Sequence, residues 1–208
     1  MNPNFVRTFK SDNHERDSFL SRMFGIISEE IVRIWCRCVQ SPYEDLGRPT
    51  LVQKGYDGKF RATLDFTFKS KQDGKIFVGE MKSELEYENY KYLTLTSTDQ
   101  FKHHIIKLAF IQFLEIAKNP EKFTVTIQDT KNKRKSIAVS GSILVWGKVS
   151  DEGKKNVMEE TKLADVLSLE QIINDLLAWN NSDYIDFIKQ RFEWSEQIFS
   201  SLLRREGH

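Results

Sequence analysis

Leu64-Asp65-Phe66-Thr67-Phe68, a polar turn through Asp73-Gly74, and then Ile76-Phe77-Val78-Gly79-Glu80-Met81-Lys82 decide how this chain folds. Two apolar runs of strand length each carry an acid where a plain strand would carry valine or leucine, and the second adds a lysine two places after its acid. Residues two apart on a strand share a face, so Glu80 and Lys82 project together. If the runs pair as a hairpin around residues 69 to 75, Asp65 reaches the same patch. Two carboxylates and an ammonium on a half-buried sheet cost several kcal/mol to desolvate unless they bind something or each other. Oxygen ligands of this kind suit a hard divalent cation, magnesium above all, which takes a few carboxylates together with waters and a substrate phosphate.

The string acid-x-Lys occurs six times. Asp57-Gly58-Lys59, Asp73-Gly74-Lys75 and Glu152-Gly153-Lys154 carry a turn glycine, Asp129-Thr130-Lys131 opens a polar loop, and Glu160-Thr161-Lys162 lies in a polar segment. Only Glu80-Met81-Lys82 sits in a β-rich run with a second acid in the run before it. The competing reading is a structural ion pair at the end of a hairpin.

Upstream, Phe19, Met23, Ile26, Ile27, Ile31, Ile34, Trp35 and Cys38 recur at helical spacing between Asp17 and Val39, with Asp17 or Ser18 as cap. On a helical wheel Glu30 falls inside the apolar arc, and Glu29 falls near its margin beside Arg22 and Arg33. A glutamate aimed at a core asks for a partner.

Asp65, fourteen intervening residues and Glu80-Met81-Lys82, preceded by a helix that carries a glutamate, resemble the PD-(D/E)XK nuclease superfamily, the fold of many restriction endonucleases and Holliday-junction resolvases. Leu64 stands where the motif name has proline. The resemblance spans about residues 17 to 149. It implies an α/β fold, a restriction-endonuclease-like mixed central β-sheet flanked by helices, and metal-dependent hydrolysis of DNA phosphodiester bonds. It further implies that Asp65, Glu80 and the carbonyl of Met81, with Glu30 through water, hold Mg2+, for which Mn2+ substitutes, while Lys82 orients the attacking water. Glu29 is the reserve for Glu30, and Asp57 is a runner-up acid. Relatives often place a glutamine in the helix after the lysine, which points to Gln100; a tyrosine follows four residues later in them, where His104 stands here. Restriction-like and resolvase-like relatives usually act as homodimers.

The chain of 208 residues is long enough for a single domain, and 39% hydrophobic content is ordinary for a globular protein. A net charge of +1 excludes a generally basic body, so any nucleic-acid surface must be local. Lys131, Lys133, Arg134 and Lys135, at the tip between the β-rich runs Phe123–Gln128 and 136–149, form the densest positive charge and are the candidate DNA contacts; a charged tip that resists aggregation is the alternative. Cys36 and Cys38 cannot bridge each other and read as free thiols. With no signal peptide or membrane-length apolar run, a cytoplasmic location is expected.

Further expectations are a short strand from Thr50 to Lys54, a tight turn at Asp57-Gly58, and a solvated connection over residues 84–92 whose tyrosines cover a sheet edge. A helix is expected from Thr98 or Asp99 to Lys118, with His103 and His104 partly exposed. Ile143-Leu144-Val145-Trp146 reads as a buried central strand. A helical C-terminal extension over about 165–206 is expected to pack on the core or on a second subunit. No glycine-rich phosphate loop, serine elbow or zinc-spaced cluster is present. The second functional reading is a non-catalytic nucleic-acid-binding or assembly protein that keeps this fold.

Overall fold

The computed structural model describes residues 9–12, 14–53, 62–88, 91–128 and 134–203. Helix α1 (Ser18–Arg37) starts at Asp17, whose carboxylate accepts from the backbone N–H groups of Phe19 and Leu20 at 2.8 and 3.0 Å. A side-chain oxygen at this position satisfies donors that the first helical turn leaves open. Strands β1 (Tyr43–Asp45), β3 (Phe66–Ser70), β4 (Ile76–Lys82), β8 (Ser142–Trp146) and β10 (Asp165–Ser168) form a five-stranded sheet in the order β1-β3-β4-β8-β10. The β1, β3 and β4 neighbours run antiparallel, whereas β4, β8 and β10 run parallel, so the sheet is mixed. Strands β2 (Thr50–Gln53), β6 (Phe123–Gln128) and β7 (Arg134–Ala138) make a separate antiparallel sheet, and β5 (Thr94–Leu95) pairs with β9 (Lys148–Val149).

The two faces of the central sheet bury different cores. Phe66, Phe68, Met81, Ile143 and Val145 pack with Ile31, Ile34 and Trp35 of α1 and with Leu169, Ile172 and Leu176 of helix α4 (Leu169–Ala178). Val78, Leu144, Trp146 and Val166 pack on the other side with Phe110, Phe113 and Ile116 of helix α2 (Leu108–Lys118), Val157 of helix α3 (Asp151–Thr161) and Leu51 and Val125 of the small sheet. The molecule is thus an α/β protein with a mixed central sheet between helices. Gly79 makes the first core possible: a Cβ there would lie 2.4 Å from the ring of Phe68, which stacks on Phe66 with centroids 5.1 Å apart.

The hairpin of β3 and β4, the β6–β7 hairpin and the central position of β8 agree with the expectations. Every side chain of β8 is buried, as the continuous apolar run implied. Other expectations need correction. The helix foreseen from Thr98 to Lys118 is broken into a short 3-10 helix, Thr98–Phe101, and α2, because Ser97 and Gln100 close a capping box and the chain then turns to bury His104. The connection over 84–92 is not solvated throughout: Tyr87 is fully enclosed, its hydroxyl donating to the Asp17 carbonyl at 3.0 Å, Tyr92 is buried, and Tyr90 lies outside the described residues. On α1, Phe19 and Ile26 are exposed, so the wheel that placed Glu30 in the apolar arc was drawn around the wrong centre.

The C-terminal region does not begin as a helical extension, since Asp165–Ser168 joins the central sheet as β10. The last helix, α5 (Ser182–Leu203), packs Tyr184 and Phe187 on the core and exposes Phe192, Trp194, Phe199 and Leu202. The second strand reaches Gln53; Lys54, Asp57, Gly58, Lys131 and Lys133 lie outside the described residues. Cys36 and Cys38 are free and buried, and burial pushes both thiols up. Among the described residues no helix is long and apolar enough to cross a membrane.

Gly153, foreseen in a turn, lies in the first turn of α3, where a Cβ would come within 2.3 Å of the Leu95 carbonyl oxygen. The obstacle is backbone and cannot rotate away. Gly153→Ala is expected to lower stability by about 1–3 kcal/mol through overpacking, read as a lower urea midpoint; an unchanged midpoint would show that α3 shifts without cost.

Candidate active site

Asp65 stands one residue before the β3–β4 ladder, in which Phe66 pairs with Gly79 and Thr67 with Val78, and this places it beside the Glu80-Met81 end of β4. The backbone N–H of Asp65 donates to the Gly79 carbonyl at 3.1 Å, and its carboxylate accepts from the Met81 N–H at 2.9 Å. The side chain therefore continues the ladder where the main chain leaves it. In extended backbone the N–H and C=O of one residue leave the strand on the same side, so the Met81 carbonyl points along the edge that Asp65 occupies.

Lys82 donates to the Glu80 carboxylate, as their two-residue spacing requires, and its ammonium lies 5.6 Å from the centroid of Phe110. Both side chains are largely buried, at 9% exposure for Glu80 and 15% for Lys82. Burial pushes Glu80 up to about 7; Lys82 opposes the rise, and the charges of Asp65 and Glu29 add to it.

The helix glutamates take different places. Glu30 pairs with Arg37 at 3.3 Å and with Arg33 at 3.8 Å. Glu29 pairs with Arg33 at 3.1 Å and with Arg48 at 3.6 Å, and the same Arg48 guanidinium meets the Asp65 carboxylate at 3.3 Å. Arg33 also donates to the Asp65 carbonyl at 3.5 Å and lies 3.7 Å from Asp45. Asp65, Glu80, Lys82 and Glu29 are thus gathered at one end of the sheet, with Glu30 one step removed.

Gln100 is held elsewhere. Its amide oxygen accepts from the Thr96 and Ser97 N–H groups and its amide nitrogen donates to the Thr94 carbonyl, so it ties the loop before α2. His103 is exposed, whereas His104 is buried against Tyr92, Phe110 and Trp146, a correction to the partly exposed pair foreseen. Burial, then Lys82 and Lys107, pushes His104 down to about 3, so it is neutral near pH 7. Arg134 and Lys135 open β7. Arg134 lines a groove of about 500 Å3 with Thr50, Thr63, Thr126, Ser136 and Arg48, which connects the basic hairpin to the guanidinium on Asp65.

Comparison with protein-family models, with curated proteins and with solved structures finds no match in any of the three. The chemistry of the site therefore rests on its own donors. Asp65, Glu80 and the Met81 carbonyl are hard oxygen donors on one sheet end. Among the described residues no three His, Cys, Asp or Glu side chains gather as a ready cage. Such a set suits an ion that keeps much of its shell as water, and it does not suit structural zinc.

The sequence placed Arg33 beside Glu29 without assigning it to the site, and it gave no sign of Arg48. Arg33 had a signal, its four-residue spacing from Glu29 on one helix face. Arg48 lies between Gly47 and Pro49 in a connection, and no periodicity points to it.

Proposed function

We propose that the protein is a magnesium-dependent deoxyribonuclease of the PD-(D/E)XK type, with a restriction-endonuclease-like fold. The observation that carries the reading is the convergence of Asp65 and Glu80 on one sheet end, with Lys82 bonded to Glu80 and the Met81 carbonyl on the Asp65 edge. Asp65, Glu80 and Met81 would hold the metal, with Glu29 preferred over Glu30 as the helix contribution, since Glu29 shares Arg48 with Asp65. The metal, with Mn2+ as a substitute, would lower the pKa of a bound water and screen the phosphate. Lys82, held by its hydrogen bond to Glu80 beside the residues that would bind the metal, would orient the attacking water and offset charge on phosphorus. The groove from Arg48 to Arg134 supports a path for the DNA backbone. The exposed aromatic face of α5 supports a homodimer, in keeping with such nucleases.

A second reading has its own observation. Each acid of the site already has a cation or N–H partner, so the cluster is also a satisfied structural network in a non-catalytic nucleic-acid-binding or assembly protein. A panel of linear, circular, branched and single-stranded DNA, incubated with Mg2+ or Mn2+, separates the two. Cleavage of one DNA shape is expected; intact DNA throughout, with no Mg2+ bound at millimolar concentration, overturns the nuclease.

The proton on Glu80 gives the reading a pH signature. A carboxyl raised from 4.5 to about 7 favours the metal-free fold below pH 4.5, and that contribution is lost as pH rises through 7. Magnesium needs the ionised form, so its apparent affinity should fall as pH drops below 7, by up to about tenfold per unit. Calorimetric titration with Mg2+ at pH 6 and pH 8 checks this; equal affinity at both would remove Glu80 from the ligand set.

A further inference from the structure

Beyond the end of β4 lies a cavity of about 370 Å3 that shares Met81, Lys82 and Glu29 with the proposed site and extends past them to residues that the proposed chemistry does not use. One stripe of α1 forms one wall, Ser18, Ser21, Arg22, Gly25 and Glu29, and the other is formed by Lys82, Ser83, Glu84, His104 and Lys107, with Arg16 at the rim. Three features of this wall bear on what it could hold.

First, the Ser83 hydroxyl and the His104 Nε2 are buried without a hydrogen-bond partner, as is a Glu84 carboxylate oxygen whose charge Arg16 offsets at 3.2 Å. Serine 83 is 7% exposed and His104 4%, so both are enclosed polar groups of a kind that folded proteins rarely leave unmatched. Second, the charges do not balance. Glu84 is paired with Arg16, Glu29 with Arg33 and Arg48, and Lys82 with Glu80, whereas Arg22 and Lys107 make no ion pair with any described residue. Third, Gly25 sits inside α1 with nothing within 4 Å of the position a Cβ would take. A mid-helix glycine is unfavourable, and here no neighbouring atom demands it. A missing side chain, two exposed cations without an ion-pair partner among the described residues, a hydroxyl and an imidazole nitrogen line one space.

We propose that this cavity is a phosphate-binding subsite, in which Arg22 and Lys107 supply the charge, Ser83 and His104 supply hydrogen bonds, and Gly25 leaves room for the phosphoryl oxygens. Lys82 lines it as well, so the subsite adjoins the metal-binding acids. Resting on the nuclease reading, the phosphate it takes is the one next to the scissile group on the same strand. A neutral His104 suits this role, because its ring lies among aromatic side chains and offers a dipole rather than a second buried charge. An internal phosphodiester and a terminal phosphomonoester share the chemistry required.

The test begins on the full chain without metal, in EDTA, by thermal unfolding in inorganic phosphate against sodium chloride of equal ionic strength. Phosphate should raise the midpoint saturably, and chloride should not. Arg22→Ala and Lys107→Ala should each weaken phosphate about tenfold, the usual loss for a charge-assisted hydrogen bond. Gly25→Leu should abolish the phosphate effect while leaving the phosphate-free midpoint as high or higher, since leucine favours the helix. Glu80→Ala should keep or strengthen phosphate binding, because it frees Lys82, and this separates the subsite from catalysis. Phosphate binding without DNA cleavage would leave the subsite standing and the nuclease fallen. A phosphate effect no larger than that of chloride, or one untouched by Gly25→Leu, overturns the subsite whatever the enzyme does.

With Ca2+ in place of Mg2+ to block cleavage, oligonucleotides bearing a 5′-phosphate or a 5′-hydroxyl then identify the source. Tighter binding of the phosphorylated end, lost in Gly25→Leu, assigns a terminal phosphate. Equal binding of both ends, weakened by Gly25→Leu and with the salt slope reduced by about one in Lys107→Ala, assigns an internal one. Equal binding that neither variant weakens removes the subsite from the DNA path.

Discussion

Under the proposed function, Glu80→Ala is expected to abolish magnesium-dependent cleavage of DNA, by about 1,000-fold or more, and to leave the protein folded. Three consequences of the change combine. The proposed metal site would lose one of its two carboxylates, and an ion that keeps most of its water shell binds such a site weakly once a charge is gone. Lys82 loses the partner that sets its position over Phe110, so the ammonium no longer approaches the attacking water from a fixed direction. Stability should move little: ionised Glu80 is held in a place whose burial pushes its pKa to about 7, so its removal relieves a poorly solvated charge. Glu80→Gln sharpens the test, because it keeps the shape and a hydrogen bond to Lys82 while removing the charge. Full activity in Glu80→Gln would assign the residue to structure; loss of activity in both, with unchanged circular dichroism and a midpoint at pH 8 equal to or above that of the parent, supports its role as ligand.

The largest loss of stability is expected at Trp146. Its side chain is fully buried, its indole N–H donates to the Tyr92 carbonyl at 2.9 Å, and its ring meets those of Tyr92, Phe101 and His104 at about 6 Å. It also pairs in register with Lys82 across the β4–β8 boundary. Trp146→Ala removes this packing and strands a buried carbonyl, for a loss of about 3–5 kcal/mol. The urea midpoint should fall with little change in slope. Trp146→Phe keeps most of the volume and should cost less than half as much; equal losses in the two variants would show that the hydrogen bond, not the ring, carries the effect. Because the ring supports His104 and the 92–104 loop, the phenylalanine variant should also weaken phosphate binding in the cavity beside Lys82.

The local signals that could be read from the chain are those with a long period or a rare combination. The α1 helix, the β3–β4 hairpin and the apolar run of β8 are each fixed by residues that neighbour one another in sequence, and each forms where its pattern places it, although the buried arc of α1 excludes Phe19 and Ile26. Glu80 and Lys82 were legible for the same reason: a two-residue spacing on a strand admits one geometry. Strand β10 was not, since Asp165-Val166-Leu167-Ser168 has too few residues to establish an alternation and becomes a strand only through pairing with β8. Helix α3 was hidden by Gly153, whose presence answers to the Leu95 backbone and not to a turn. His104 was misplaced because the periodicity of Phe101, Phe110 and Phe113 is met by two short helical pieces as well as by one long helix. The choice between Glu29 and Glu30 depended on Arg48, a residue brought from a connecting segment by tertiary folding alone.

Strand β10 has a bearing on any attempt to trim the molecule. The region that carries the nuclease-like signature ends near residue 149, yet β8, with all five side chains buried, depends on β10 to cover its outer hydrogen-bonding edge. A fragment cut at that point would present Ser142-Ile143-Leu144-Val145-Trp146 as a bare, uncharged rim, the kind of template on which further chains add and fibres nucleate. The four residues of β10 thus act as a molecular selvedge, keeping the rest of the central sheet from pairing with its neighbours.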